Sequence, residues 1–145
     1  MESRQLIFVL TGSPIKTAAD LAGKVVAVQQ ASTGEDEVMK DVKLKDSLKE
    51  LKTYSDFIAA FMDMKAGRVD AVVTDELLGK YYMSKESGQY VAIEQPLGEV
   101  GTIGVGFRKD DKELRDKVQK ALNEMKQDGT SAKISQQWFG SDIVK

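Results

Sequence analysis

Residues 24–37 read Lys24-Val25-Val26-Ala27-Val28-Gln29-Gln30-Ala31-Ser32-Thr33-Gly34-Glu35-Asp36-Glu37. The run Lys24–Gln29 is β-branched and apolar without alternation, the pattern of a strand buried on both faces. A Ser-Thr-Gly step and an acidic turn follow directly, and carboxylates there suit the positive end of a helix dipole. A buried strand that runs straight into a helix N-terminus is the unit of an α/β fold, with ligands expected at the carboxyl ends of the strands.

The rest of the chain repeats the alternation. Upstream, Arg4–Leu10 is a short apolar strand closed by Thr11-Gly12-Ser13-Pro14, and Thr17 caps a brief helix over Ala18–Leu21 that ends at Gly23. Downstream, Leu48–Tyr54 predicts a strand. Ser55 and Asp56 then open a helix carrying Phe57, Ile58, Phe61, Met62 and Met64, which Gly67 stops. Val69–Val73 predicts a third buried strand, closing with Thr74-Asp75-Glu76. A helix over Leu77–Ser84 and a short strand at Tyr90–Ile93 follow. Lys43–Lys52 is charge-rich and reads as a solvated connection.

The last third differs. Thr102–Arg108 predicts a glycine-containing strand, and Asp110-Asp111 open an amphipathic helix striped by Leu114, Val118, Ala121, Leu122 and Met125. Gly129-Thr130 breaks it, and a short helix runs through Ile134 to Trp138-Phe139-Gly140. The methionines and Trp138 read as core packing.

Composition narrows the function. The chain has 145 residues, 41% hydrophobic and 30% charged, which is ordinary globular composition and enough for one compact core. A net charge of −2 without a basic cluster gives no nucleic-acid footprint. No apolar stretch approaches the roughly 20 residues of a membrane span. Met1–Gln5 carries no apolar signal core, which read alone suggests a cytoplasmic chain. There are no cysteines and no histidines. Disulfides, thiol nucleophiles, Cys-based zinc sites and the commonest general base are therefore absent. With no suitably spaced pair of carboxylates and no glycine-rich phosphate motif, an enzyme is disfavoured, and no metal or cofactor is expected.

Four segments together resemble the bacterial extracytoplasmic amino-acid-binding proteins of ABC importers, solute-binding protein family 3. They are Ser13–Lys16 through Ala19–Lys24, Val26–Gly34, Ala66–Asp75, and Ile103–Asp111 with Asp128-Gly129-Thr130 and Trp138-Phe139-Gly140. Ala31 stands where the family usually has glycine. The resemblance implies a type II periplasmic-binding-protein lobe: a three-layer α/β/α unit with a mostly parallel sheet of about five strands plus C-terminal helices. It assigns residues 1–109 to the second lobe, with hinge-like strands at 4–10 and 102–108. Residues 110–145 become a tail that, in the family, packs on a first lobe missing from this chain.

A free amino acid presents a carboxylate and an ammonium, and both need partners when buried. Ser32 and Thr33, with Gly34 permitting close approach, sit where a helix N-terminus receives a carboxylate. Asp75, ending a neighbouring strand, suits the ammonium. The resemblance implies the same roles, and Gln29 or Gln30 would reach toward the ligand side chain. Taken singly, Ser-Thr before an acidic turn is an ordinary N-cap and Asp75 an ordinary loop or cap residue. The expected partner is a free polar amino acid, held weakly because half of the cleft is missing. A complete protein would lie outside the cytoplasm and dock on a permease. The stripe of the tail suggests a homodimer through a swapped tail. The alternatives are a lobe without ligand binding of its own, or the ligand-binding lobe of a sensor receptor.

Overall fold

The computed structural model describes residues 1–144. Five strands form one sheet in the order β3-β2-β4-β1-β5. They are β1 (Glu2–Leu10), β2 (Val25–Gln29), β3 (Glu50–Tyr54), β4 (Ala71–Asp75) and β5 (Tyr90–Thr102). The helices are α1 (Thr33–Lys40), α2 (Val42–Ser47), α3 (Phe57–Lys65), α4 (Glu76–Lys85), α5 (Lys112–Gln127) and α6 (Thr130–Phe139), with a single 3-10 turn at Ala18–Leu21. β2 runs parallel to β3 and β4, while β1 is antiparallel to β4 and β5. The sheet is therefore mixed, parallel where helices cross over and antiparallel around β1.

Alternation along the strands divides the core into two layers. Ile7 and Val9 of β1 join Val26, Val28 and Val73 beneath Val38 of α1 and Leu44 of α2. Leu6 and Phe8 point the other way, joining Ala27 and Val72 beneath Ala60, Phe61 and Met64 of α3. Full burial of each of the Val, Ile, Leu, Phe and Met side chains contributes roughly 1.5–3 kcal/mol. On the second face Gly79 of α4 lies directly on the Phe8 ring, so that a β-carbon there would overlap it. This missing side chain lets α4 sit close to β1.

Three expectations need correction. The strand predicted at Thr102–Arg108 does not form. β5 instead continues from Tyr90 to Thr102, and its last backbone contact is the reciprocal pair between Met1 and Ile103. Beyond it no strand lies alongside residues 104–108 among the described residues, so their N–H and C=O groups have no ladder to join. The short strand predicted at Tyr90–Ile93 is correspondingly too short: pairing to β1 carries it through Pro96 and Gly98 with two register shifts. The charge-rich stretch 43–52 is no plain connection. It holds α2, capped by Asp41 through the Leu44 N–H at 3.0 Å, and the start of the edge strand β3.

The tail divides in two. α6 folds back on α4, where Trp138 lies against Tyr81 at 6.2 Å between ring centroids and its carbonyl accepts from the Ser84 hydroxyl at 3.0 Å. Trp138 is 49% exposed, so it covers the surface of α4 rather than filling a core as expected. Met39 and Met62 are likewise exposed, whereas Met64 is fully buried. Ser135 closes the end of the tail, donating to the Ser141 carbonyl at 2.8 Å and accepting from the Ile143 N–H at 2.9 Å. α5 buries none of its residues. Its stripe faces a groove of about 650 Å³ whose other wall is Ile103, Val105 and Phe107.

Candidate functional site

β2 and β4 are parallel neighbours, so their carboxyl ends reach the same sheet edge, and antiparallel β1 brings its amino end to it. A cavity of about 370 Å³ opens there, lined by Gln29, Gln30, Ala31, Ser32, Thr33 and Asp75 together with Ser3, Gln5, Thr74 and Leu78. Five of the six residues singled out in the sequence meet in this one cavity, and Gly34 lies just behind it.

The turn between β2 and α1 is tightly built. Ser32 is the N-cap of α1: its hydroxyl accepts from the Glu35 N–H at 3.2 Å and donates to the Gln29 carbonyl at 2.7 Å. Glu35 reaches back to accept from the Ala31 N–H at 2.6 Å, a capping-box arrangement one residue displaced. Ala31 adopts φ 55°, a left-handed conformation that favours glycine. Gly34 packs on the neighbouring strand, where an added β-carbon would stand 3.1 Å from the Val73 carbonyl and 3.2 Å from the Gln5 amide oxygen. Glycine is what lets this helix start so close to β4.

The cap leaves donors free. The hydroxyl proton of Ser32 is committed to Gln29, but the N–H groups of Thr33 and Gly34 and the Thr33 hydroxyl have no hydrogen-bond partner among the described residues. These are the orphan donors of a helix N-terminus; Thr33 lines the cavity and Gly34 lies just behind it, with the positive end of the helix dipole at that edge. Across the cavity, Asp75 is the N-cap of α4. One carboxylate oxygen accepts from the Leu77 N–H at 2.8 Å and the other from the Ser3 hydroxyl at 3.0 Å. Asp75 thus holds its orientation while keeping lone pairs for a cation. Gln29 is tied by its amide to the Ser55 carbonyl at 3.3 Å, and the exposed side chain of Gln30 makes no hydrogen bond among the described residues.

Ser3, Gln5, Thr74 and Leu78 were not singled out by sequence reasoning. The available signal was Gln5, a polar residue opening the apolar run Leu6–Leu10 and buried to 4% exposure. Its place at the site depends on the Gln5–Asp75 pairing of β1 with β4, across 70 residues of chain, which no local pattern encodes.

Beside the site, Arg4 forms a two-pronged ion pair with Glu76, with Nε to Oε2 at 2.6 Å, and Lys80 reaches the same carboxylate at 2.8 Å. Burial pushes the Glu76 carboxyl up, but the hydrogen bonds from Arg4 and Lys80 outweigh it and hold it below the ordinary range. This cluster fastens α4 to β1. Among the described residues no group of His, Cys, Asp and Glu side chains is arranged to hold a metal ion, and no helix is long and apolar enough to cross a membrane.

Comparison with known proteins bears on the family and the fold. The family model for bacterial extracellular solute-binding proteins, family 3, matches residues 2–141. The L-cystine-binding protein TcyJ of Escherichia coli (strain K12) is 33% identical over 131 residues, covering 90% of this chain and 47% of that protein. The histidine-binding periplasmic protein of Salmonella typhimurium is 36% identical over 137 residues, covering 88% and 50%. A polar amino acid ABC uptake transporter substrate-binding protein from Streptococcus thermophilus superposes with a TM-score of 0.84 at 32% identity, covering 100% of this chain and 56% of that one. The chain spans about half the length of the curated relatives it matches. The lobe architecture, the segments that line the cavity and the match along residues 2–141 lead to one assignment: this chain belongs to family 3 of the bacterial extracellular solute-binding proteins.

Proposed function

We propose that the chain is a non-catalytic amino-acid-binding lobe of an ABC importer, carrying one wall of the ligand cleft. The observation that carries this reading is the meeting of Thr33, at the unpaired N-terminus of α1, and the Asp75 carboxylate in the lining of one small cavity, with the unpaired Gly34 N–H just behind. A zwitterionic α-amino acid needs that pair of poles: orphan amides at a helix N-terminus for its carboxylate and a fixed carboxylate for its ammonium. The Ser32 hydroxyl serves mainly to shape the turn, so its contribution to the ligand runs through the cap. Gln29 and Gln30 border the space left for the ligand side chain.

The domain division supports the same reading. Residues 1–109 form the sheet and its helices, and the groove between residues 103–108 and α5 is the seat of a further lobe that closes over the ligand. The exposed, unpacked stripe of α5 supports this role. Without that second wall the ligand keeps water on one side, where hydrogen bonds are weaker than in a closed site. The lone chain is therefore expected to bind with a Kd in the millimolar range, against micromolar or tighter for a two-walled cleft. The complete protein would work outside the cytoplasm and deliver its ligand to a permease.

An amide-resolved NMR titration with single amino acids tests the reading. Shifts confined to Thr33, Gly34 and Asp75, lost in Asp75→Asn, are the expected result. Micromolar binding by a proven monomer would refute the half-cleft account, and a well-dispersed spectrum without shifts would refute ligand binding by this lobe alone.

A further inference from the structure

Gln5 is the most deeply buried residue of the cavity lining whose side-chain polar atoms make no hydrogen bond within the fold, among the described residues. It is 4% exposed, yet its side-chain amide makes no hydrogen bond among the described residues. The next residues on the same face of β1, Ile7 and Val9, are apolar and fully packed. The amide reaches the cavity, where water serves it in place of a protein partner, so a hydrocarbon of similar volume would forfeit no hydrogen bond within the fold. The backbone of Gln5 pairs with Asp75, and the oxygen end of its amide lies against Gly34. The side chain therefore stands between the two poles of the site, on the floor of the cavity.

We propose that Gln5 is a ligand contact and that it reads the α-carboxylate. A carboxamide offers two N–H donors and one carbonyl acceptor, and a half-turn about its last bond exchanges the ends. An anion seated on the Thr33 and Gly34 amides selects the N–H end and gains a third donor from below. Asp75, on the other side of Gln5, stays free for the ammonium. This inference rests on the amino-acid reading above and adds a contact from β1, an element that lies outside the β2–α1 turn and the end of β4.

The test uses this chain with L-histidine, L-arginine and L-glutamine as probes. Kd is read from NMR shifts at Thr33 and Gly34, and the melting temperature is read without ligand. In Gln5→Leu and Gln5→Met the Kd for the best-bound probe is expected to rise tenfold or more while the ligand-free melting temperature holds or increases. Gln5→Glu, which sets a second anion beside the carboxylate, is expected to abolish binding. Wild-type shifts with an unchanged Kd in the Leu and Met variants would overturn the contact alone. So would a loss of affinity matched by a loss of melting temperature in both, since that marks a packing role. Absence of wild-type shifts with all three probes would instead overturn the amino-acid reading on which the contact rests.

Discussion

Single residues set the geometry of the β2–α1 turn. Ala31 holds a left-handed backbone at φ 55° because Gln30 and Ser32 on either side are fixed by hydrogen bonds to Tyr54 and Gln29. Such a conformation costs an alanine of order 1 kcal/mol that a glycine avoids, partly offset by the larger entropy glycine loses on folding. Ala31→Gly is therefore expected to stabilise the chain by about 0.5 kcal/mol, read from urea denaturation midpoints. Removing the cap acts in the other direction. Ser32→Ala is expected to cost about 1 kcal/mol and to weaken amino-acid binding, because the N–H groups of α1 lose their alignment along with the cap. Gly79→Ala is the severest of the three. Its new methyl meets the fully buried Phe8 ring, and overpacking of that kind costs typically 1–3 kcal/mol.

At the scale of elements, two polar clasps tie neighbouring pieces together. In the first, Glu76 of α4 serves both Arg4 of β1 and Lys80 one turn along. Glu76→Ala would leave Arg4 and Lys80 largely buried with only the exposed Glu94 as counter-charge. The loss of one member of a buried pair costs about 3–5 kcal/mol, and Glu94 moves the expectation to the lower end of that range. In the second, Tyr54 of β3 donates to Asp63 of α3 at 2.7 Å, and Arg68 pairs with the same carboxylate. The hydrogen bond from Arg68, then that from Tyr54, holds Asp63 down to about 2. Burial first, then the bond to Asp63, pushes Tyr54 up to about 12. The stabilisation from Asp63 is present above the ordinary Asp value of about 3.9 and fades as pH falls through 2. That from Tyr54 is present below about 10 and fades as pH rises through 12. A pH series of melting temperatures should therefore decline at both extremes, and Tyr54→Phe should flatten the alkaline limb.

The elements also show where local sequence speaks and where it stops. β1 to β4 are legible because their apolar runs are bounded by turn residues. β5 is not, since Glu94-Gln95-Pro96-Leu97-Gly98 reads as a loop and becomes strand only by pairing with β1. The same limit governs the site. Thr33 and Asp75 lie at strand ends visible in the sequence, whereas Ser3 and Gln5 enter through an antiparallel pairing distant along the chain.

Across the whole molecule, the tail combines one docked and one undocked helix. The only tryptophan of the chain lies on α6, half exposed against Tyr81 of α4. Its fluorescence therefore reports the docking of α6. We expect an emission change at lower urea than the loss of sheet structure followed by circular dichroism, because α6 has few buried side chains to hold it. The stripe of α5 predicts concentration-dependent association of the lone chain. Leu122→Glu, placing a charge on the exposed stripe, is expected to lower the apparent mass in sedimentation equilibrium without changing the melting temperature.

Met1, Ile103 and Val144 all border the same groove, and Met1 and Ile103 exchange backbone hydrogen bonds. The sheet thus hangs from one corner, like a page held at its binding, with every long excursion of the chain leaving and returning there. A loop joining residue 144 to Met1 would run along that groove. New ends opened at the exposed turn around Gly88, at the opposite end of the antiparallel β1–β5 ladder, would leave each strand of the sheet whole. The order in which the strands are strung is then separable from the order in which they pack, and a rearranged gene of this kind should still yield the same lobe.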